Sequence, residues 1–189
     1  MTPCRPNEPR KALDRGMNAS ESKSAADLSG EALLQEARQY EQNLLNFFLR
    51  QGVSYGEGED LVQETYLRLW NYRDSYRPTA KLLTFLFLLA RQVRIDALRH
   101  QVRREEREKN WGEARPEVQP PPVLGLREDV RWAVSRLSAP LRDVIEFGVF
   151  QDLPSAEVAA ILEIPVGTVK SRMSNALKRL KEIFDERGS

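Results

Sequence analysis

Large apolar side chains recur along this chain at three- and four-residue steps, and no segment alternates apolar with polar residues between hairpin turns. Leu33, Leu34, Ala37, Tyr40, Leu44, Leu45 and Phe48 keep that spacing, as do Leu61, Val62, Thr65, Tyr66, Leu69 and Trp70. Val130, Ala133, Val134 and Leu137 repeat it further on. Such spacing gives each segment one apolar stripe, so the fold class is expected to be all-α. The pattern is cut by Pro116, Pro120, Pro121 and Pro122, four prolines in seven residues. A run like this cannot lie inside a helix and favours an extended spacer. Two small helical domains joined by a flexible, Pro-rich linker are therefore expected.

The boundaries follow from composition. Residues 1–29 are rich in Ser, Pro, Asn, Lys and Arg and are expected to be a disordered tail, with Met17 as a second plausible start. Residues 30–107 form the first domain, 108–126 the linker and 127–189 the second domain. In the first, a loop from Gln51 to Gly58 should precede a helix entered through Gly58-Glu59-Asp60, whose acids suit the positive end of the helix dipole. A polar, aromatic loop spans residues 71–81, and a long helix begins near Leu82. In the second, Ser138 is a candidate N-cap with Pro140 in the first turn. A short helix from Ser155 to Leu162, a turn at Glu163 to Pro165 and a basic helix complete it. Val158, Ala159 and Leu162 are expected to pack against Val169, Met173 and Leu177.

Several functions are excluded early. The longest apolar run, Leu82 to Ala90 broken only by Thr84, falls far short of the roughly 20 residues that cross a bilayer, so no membrane insertion is expected. The start lacks the apolar core of a signal peptide, and the single Cys4 fits a reducing, cytoplasmic setting. One Cys and one His, His100, leave no set of zinc ligands, so no metal site is expected. No phosphate-binding glycine loop or nucleophile elbow occurs, so neither catalysis nor a cofactor is expected.

The net charge of +1 hides a strong segregation. Residues 128–163 hold seven acidic and three basic groups, whereas residues 165–181 hold five basic groups and no acid. Residues 91–109 carry seven basic and four acidic groups. Two basic segments on a nearly neutral chain mark two nucleic-acid faces. A short helix, a tight turn and then a basic helix is the arrangement of a helix-turn-helix, whose second helix enters the major groove. Thr168, at the start of that helix, suits a phosphate. Lys170, Ser171, Arg172, Ser174, Asn175 and Arg179 supply charge and hydrogen-bonding groups for base edges and backbone. In the first domain, Tyr72, Arg73, Tyr76, Arg77 and Lys81 mix aromatic and cationic groups that suit unpaired bases. Arg91, Arg94, Arg99 and Arg103 follow on the next helix, placed to track a phosphate backbone. Asp60, Gln63, Glu64, Leu67 and Arg68 form a mixed face with an outward Leu, suited to docking a protein.

Two stretches carry a family resemblance. The run from Glu59 through Trp70, followed by Leu89-Ala90-Arg91-Gln92-Val93-Arg94-Ile95-Asp96-Ala97-Leu98-Arg99, resembles region two of bacterial RNA polymerase sigma factors of the extracytoplasmic-function type. Leu137 through Leu180, including Ile164-Pro165-Val166-Gly167-Thr168-Val169-Lys170-Ser171-Arg172, resembles their region four. The resemblance implies a factor that binds core RNA polymerase and directs initiation at promoter DNA. It implies that Asp60, Gln63, Glu64, Leu67 and Arg68 dock on the beta-prime clamp helices, with the beta flap as a second polymerase contact. It gives the 72–81 loop and the arginines of the next helix to the minus-10 element, and the basic helix to the minus-35 element. An anti-sigma protein is a further partner it allows. The chain departs from the family pattern at Phe85 for a Trp, Gln92 for an Asn, Glu163 for the turn glycine and Asn175 for a frequent Arg. A stand-alone helix-turn-helix regulator is the alternative, and it would footprint a palindrome without polymerase.

Overall fold

The computed structural model describes residues 30–73, 76, 81–109 and 128–188. Every regular element among them is helical: α1 Gly30–Arg38, α2 Glu41–Arg50, α3 Tyr55–Tyr72, α4 Leu82–Lys109, α5 Glu128–Ser135, α6 Ala139–Ile145, a π-helical turn Glu146–Phe150, α7 Ser155–Leu162 and α8 Val166–Gly188. The N-terminal tail, the proline-rich linker and Arg77 lie outside the described residues. The chain divides into two compact units, one built from residues 27–76 and 89–127, the other containing residues 77–88 and 128–189. The first seven residues of α4 thus belong to the second unit, although α4 is one continuous helix.

In the first unit, α2 packs on α3, and α1 on α3. The expected stripe from Leu33 to Phe48 is present but broken into two helices at Tyr40, whose backbone (φ −99°, ψ 6°) leaves the helical region. Leu44, Phe48, Leu69 and Leu89 are fully buried, and each such side chain contributes roughly 1.5–3 kcal/mol relative to exposure. Helix α3 starts one turn earlier than the acids at positions 59 and 60 imply. Ser54 takes the N-cap position with extended backbone, and its hydroxyl accepts a hydrogen bond from the Glu57 amide at 3.3 Å. Gly58 is therefore inside the helix and not at its start. A Cβ there would lie 3.0 Å from Leu45 Cδ1, so the glycine lets α2 and α3 approach closely. The Thr65 hydroxyl, fully buried, donates to the Leu61 carbonyl at 2.8 Å and so carries no unmet polar group into the core.

In the second unit, α6 and α7 pack on α8, and α5 also meets it. Ala133 and Leu137 are buried on the stripe expected of α5. Ser138 does occupy the N-cap position of α6, with Pro140 in the first turn, but its hydroxyl makes no capping hydrogen bond. The helix that follows widens into a π turn, with the Gln151 amide donating to the Glu146 carbonyl five residues back at 3.1 Å. Gly148 lies in that turn under Met173, whose Cε would be only 2.4 Å from a Cβ at this position. Phe147 is buried and meets the Phe87 ring edge-on, with centroids 5.7 Å apart.

The helix-turn-helix spans α7 and α8. Val158, Ala159, Leu162 and Val169 are buried as expected, and Met173 is partly covered. Leu177 is not part of that seam: it is 52% exposed, and the buried positions of α8 are Val169, Ala176 and Ile183. These lie seven residues apart, two turns each, so the seam follows a strict heptad step and leaves Leu177 just outside it. Glu163 closes α7 in the left-handed region (φ 57°, ψ 39°), where a side chain costs roughly 1 kcal/mol.

Candidate nucleic-acid and docking interfaces

The surface of α3 presents Asp60, Gln63 and Leu67 to solvent, with Leu67 59% exposed. Large apolar groups left that open on a polar face are typical of the centre of a protein contact. Glu64 and Arg68 belong to the same surface but are also engaged internally. The Arg68 Nε donates to Glu64 at 3.0 Å, and its Nη1 donates to Asp96 of α4 at 3.0 Å. Partial burial pulls the Arg68 guanidinium down, and the hydrogen bonds to Glu64 and Asp96 outweigh that, holding it above its ordinary value. Asp96 reaches on to Arg99 at 3.3 Å. One line of alternating charge therefore runs from the α3 surface to the basic face of α4. Beside it, a cavity of about 250 Å³ is lined by Glu41, Gln42, Leu45, Tyr55, Glu59, Val62 and Gln63. Its acidic rim and the exposed Tyr55 extend the α3 face towards α2.

The cations of the loop and of α4 are held to different degrees. The Arg73 guanidinium lies 4.4 Å from the centre of the Trp70 ring and donates to the Trp70 carbonyl at 2.9 Å. Tyr72 and Tyr76 are both partly buried. Burial, with the negative charge of Glu36 nearby, pushes the Tyr76 hydroxyl up to about 12, so it stays a hydrogen-bond donor at neutral pH. Tyr66, in the interior of α3, is raised to about 12 by burial and by Glu41. Arg94 is half-buried and donates to the Gln51 carbonyl at 3.2 Å, at the end of α2. Burial lowers its pKa despite the nearby Glu57. Arg91 is partly exposed, whereas Arg99 and Arg103 face solvent. Lys81, just before α4, pairs with Glu157 of α7 at 3.2 Å within the second unit. Sequence reasoning assigned Arg94 and Lys81 to a nucleic acid without seeing these partners, because both are distant in sequence.

Helix α8 shows a cleaner surface. Lys170, Ser171, Ser174 and Asn175 are exposed along its first turns, with Thr168 and Arg172 partly covered. The Ser171 hydroxyl donates to the Thr168 carbonyl at 3.0 Å. Arg179 is exposed but turned along the helix, 3.0 Å from Glu182 and 3.9 Å from Glu186. Lys170, Ser171, Ser174 and Asn175 fall at three- and four-residue steps and so share one outer face. A helix with such a face, held out by a seam on its opposite side, fits a major groove. Among the described residues no cluster of His, Cys, Asp or Glu is placed to hold a metal ion. No helix among them is long and apolar enough to cross a membrane.

The class defined by these elements is an all-helical protein with a helix-turn-helix and a second charged, helix-built interface. Comparison with known proteins is specific. The chain matches Sigma-70 region 2 over residues 36–104 and Sigma-70, region 4 over residues 127–180. It is 32% identical over 139 residues to the ECF RNA polymerase sigma factor RpoE of Cereibacter sphaeroides, covering 72% of this chain and 77% of that one. It is also 32% identical over 149 residues to the ECF RNA polymerase sigma factor SigL of Mycobacterium tuberculosis, covering 77% of this chain and 84% of the relative. Among solved structures, the sigma factor RpoE in complex with the anti-sigma factor NepR from Bartonella quintana aligns with a TM-score of 0.65 at 27% identity, over 80% of this chain and 95% of that one. CnrH in complex with the cytosolic domain of CnrY shares the fold, with a TM-score of 0.61 at 18% identity over 94% of this chain and 95% of that one. The chain belongs to the ECF RNA polymerase sigma factors.

Proposed function

We propose that this protein binds core RNA polymerase and directs promoter-specific initiation by reading a minus-10 and a minus-35 element. The observation that carries the reading is the pairing, in order on one chain, of the region-two and region-four matches with two separate basic faces. Residues 30–107 then serve core binding and the minus-10 element, residues 108–126 span between, and residues 127–189 serve the minus-35 element. Asp60, Gln63, Glu64, Leu67 and Arg68 dock on the beta-prime clamp helices, and residues 127–189 also meet the beta flap. Tyr72, Arg73, Tyr76, Arg77 and Lys81 receive an extruded minus-10 base, and Arg91, Arg94, Arg99 and Arg103 hold the adjoining backbone. Thr168, Lys170, Ser171, Arg172, Ser174, Asn175 and Arg179 read the minus-35 element in the major groove. Chemistry at the growing RNA belongs to the polymerase, and the protein works where that enzyme is, in the cytoplasm.

An anti-sigma protein is a partner consistent with this fold, since the solved relative from Bartonella quintana was found in such a complex. Run-off transcription with core enzyme tests the main reading. Specific transcripts should appear only when this protein is added. Transcription unchanged by the protein, together with a palindromic footprint in the absence of core, would instead establish a stand-alone regulator.

A further inference from the structure

Glu157 is the one side chain of the helix-turn-helix whose charge is almost fully removed from water. Its residue exposure is 6%, yet it lies on α7, a surface helix by composition. Burying a carboxylate is costly unless its oxygens are matched by donors. The donors come from 73 residues earlier in the chain: the Thr84 hydroxyl donates to Oε2 at 2.5 Å, and the Lys81 ammonium lies 3.2 Å from Oε1. Around this polar pair the contact is apolar. Phe85, Leu86, Phe87 and Leu88 of α4 are buried, and Phe87 meets Phe147 of the π turn.

This contact cannot coexist with use of both promoter elements. Elements centred about 25 base pairs apart are separated by roughly 85 Å along B-form DNA, at 3.4 Å per base pair. Lys81 and the start of α4 belong to the minus-10 reader, and α7 supports the minus-35 reader. A hydrogen bond between them therefore has to break before both elements are engaged. In the closed state a carboxylate also sits against Lys81, where it repels a phosphate. A buried ion pair suits such a contact. Its Coulombic gain is largely offset by desolvation, and on opening both groups regain water, so a partner can displace it.

We propose that Lys81 and Thr84, gripping Glu157, form an internal clasp that withholds Lys81 from DNA in the free protein and is opened when core polymerase and promoter are engaged. The assignment of Lys81 to DNA rests on the function proposed above, whereas the clasp itself does not. While closed, the clasp lowers the apparent affinity for core in proportion to the fraction of molecules held shut.

A charge-swap cycle on the full chain tests this. Lys81→Glu and Glu157→Lys each place like charges together and should open the clasp. The double variant restores an opposite pair and should close it. Hydrogen exchange of the free protein should show faster exchange over residues 82–88 and 155–162 in each single variant, returning to the wild-type rate in the double. Affinity for core should rise roughly fivefold in each single variant and return to within about twofold of wild type in the double. Thr84→Val, which keeps the shape and removes only the donor, should move both readouts in the same direction and serves if a charge variant folds poorly. Unchanged exchange and affinity in the single variants, or a double variant that behaves as the sum of the two, would overturn the clasp. If the wild-type protein does not bind core at all, the proposed function falls, and the exchange measurement still decides the clasp.

Discussion

The two basic faces of this protein are built on opposite plans. Along α4 and the residues before it, cations double as parts of the fold: Arg94 donates to the end of α2, Arg99 to Asp96, and Lys81 to Glu157. On the first turns of α8, Lys170 and Asn175 face solvent, and the structural work is left to Val169, Ala176 and Ile183 behind them. The first plan fixes the position of its charges before DNA arrives, which lowers the ordering cost of binding. It also means that a substitution there changes stability and recognition together. The second plan separates the two, so α8 can change its outward residues with little effect on folding.

The comparison can be broken by substitutions on each side, taken here from the largest expected effect to the smallest. Glu64→Arg sets a cation beside Arg68 in the charged line from α3 to α4 and reverses the docking face. Core binding should be lost by at least roughly 30-fold, in keeping with about 2–5 kcal/mol for a charge in an interface. Titration with labelled core, alongside circular dichroism to confirm intact helices, measures it; normal binding would remove α3 from the interface. Arg94→Met leaves the Gln51 carbonyl without its donor and should cost about 1–2 kcal/mol in urea unfolding. A variant of unchanged stability would show that Arg94 is not a fold cation, and the contrast with α8 would weaken. Lys170→Ala should leave stability within about 0.5 kcal/mol and reduce the salt slope of minus-35 binding by about one unit. A loss of stability there would contradict the separated plan. Glu163→Gly relieves a left-handed side chain but frees the unfolded backbone, so a gain of only about 0.5 kcal/mol is expected in the same urea assay.

How far the sequence could be read depended on whether the partner was near in the chain. The all-helical fold, the start of α4 at Leu82, the span Ser155–Leu162 and the helix beginning at Val166 follow from periodicity, turn residues and a proline inside a first turn, all local signals. The left-handed turn at Glu163 was likewise legible, because a helix ended one residue before and another began soon after. The early start of α3 had a local signal too, in the Ser54…Glu57 spacing of a capping box, but the acids at positions 59 and 60 drew attention to the wrong turn. The break at Tyr40 was hidden because both helices keep the same apolar spacing across it. Leu177 was misplaced because it fits the four-residue step as well as Ala176 fits the seven-residue one, and only packing decides between them. The partners of Arg94, Arg68 and Glu157 lie 28 to 73 residues away and leave no mark in local pattern.

The π turn at Glu146–Phe150 has a consequence for how this chain tolerates changes in length. Each residue of an α-helix turns the chain by about 100°, so a segment with one residue more per turn resets the angular phase of everything that follows. Deleting a single residue between 146 and 150 would return the segment to regular α-helix and swing the downstream helix-turn-helix by about that angle about the axis of α6. The outward face of α8 is thus aimed by the number of residues in this turn as much as by their identities. Substitutions there are a matter of packing, but an insertion or deletion would re-aim the reader.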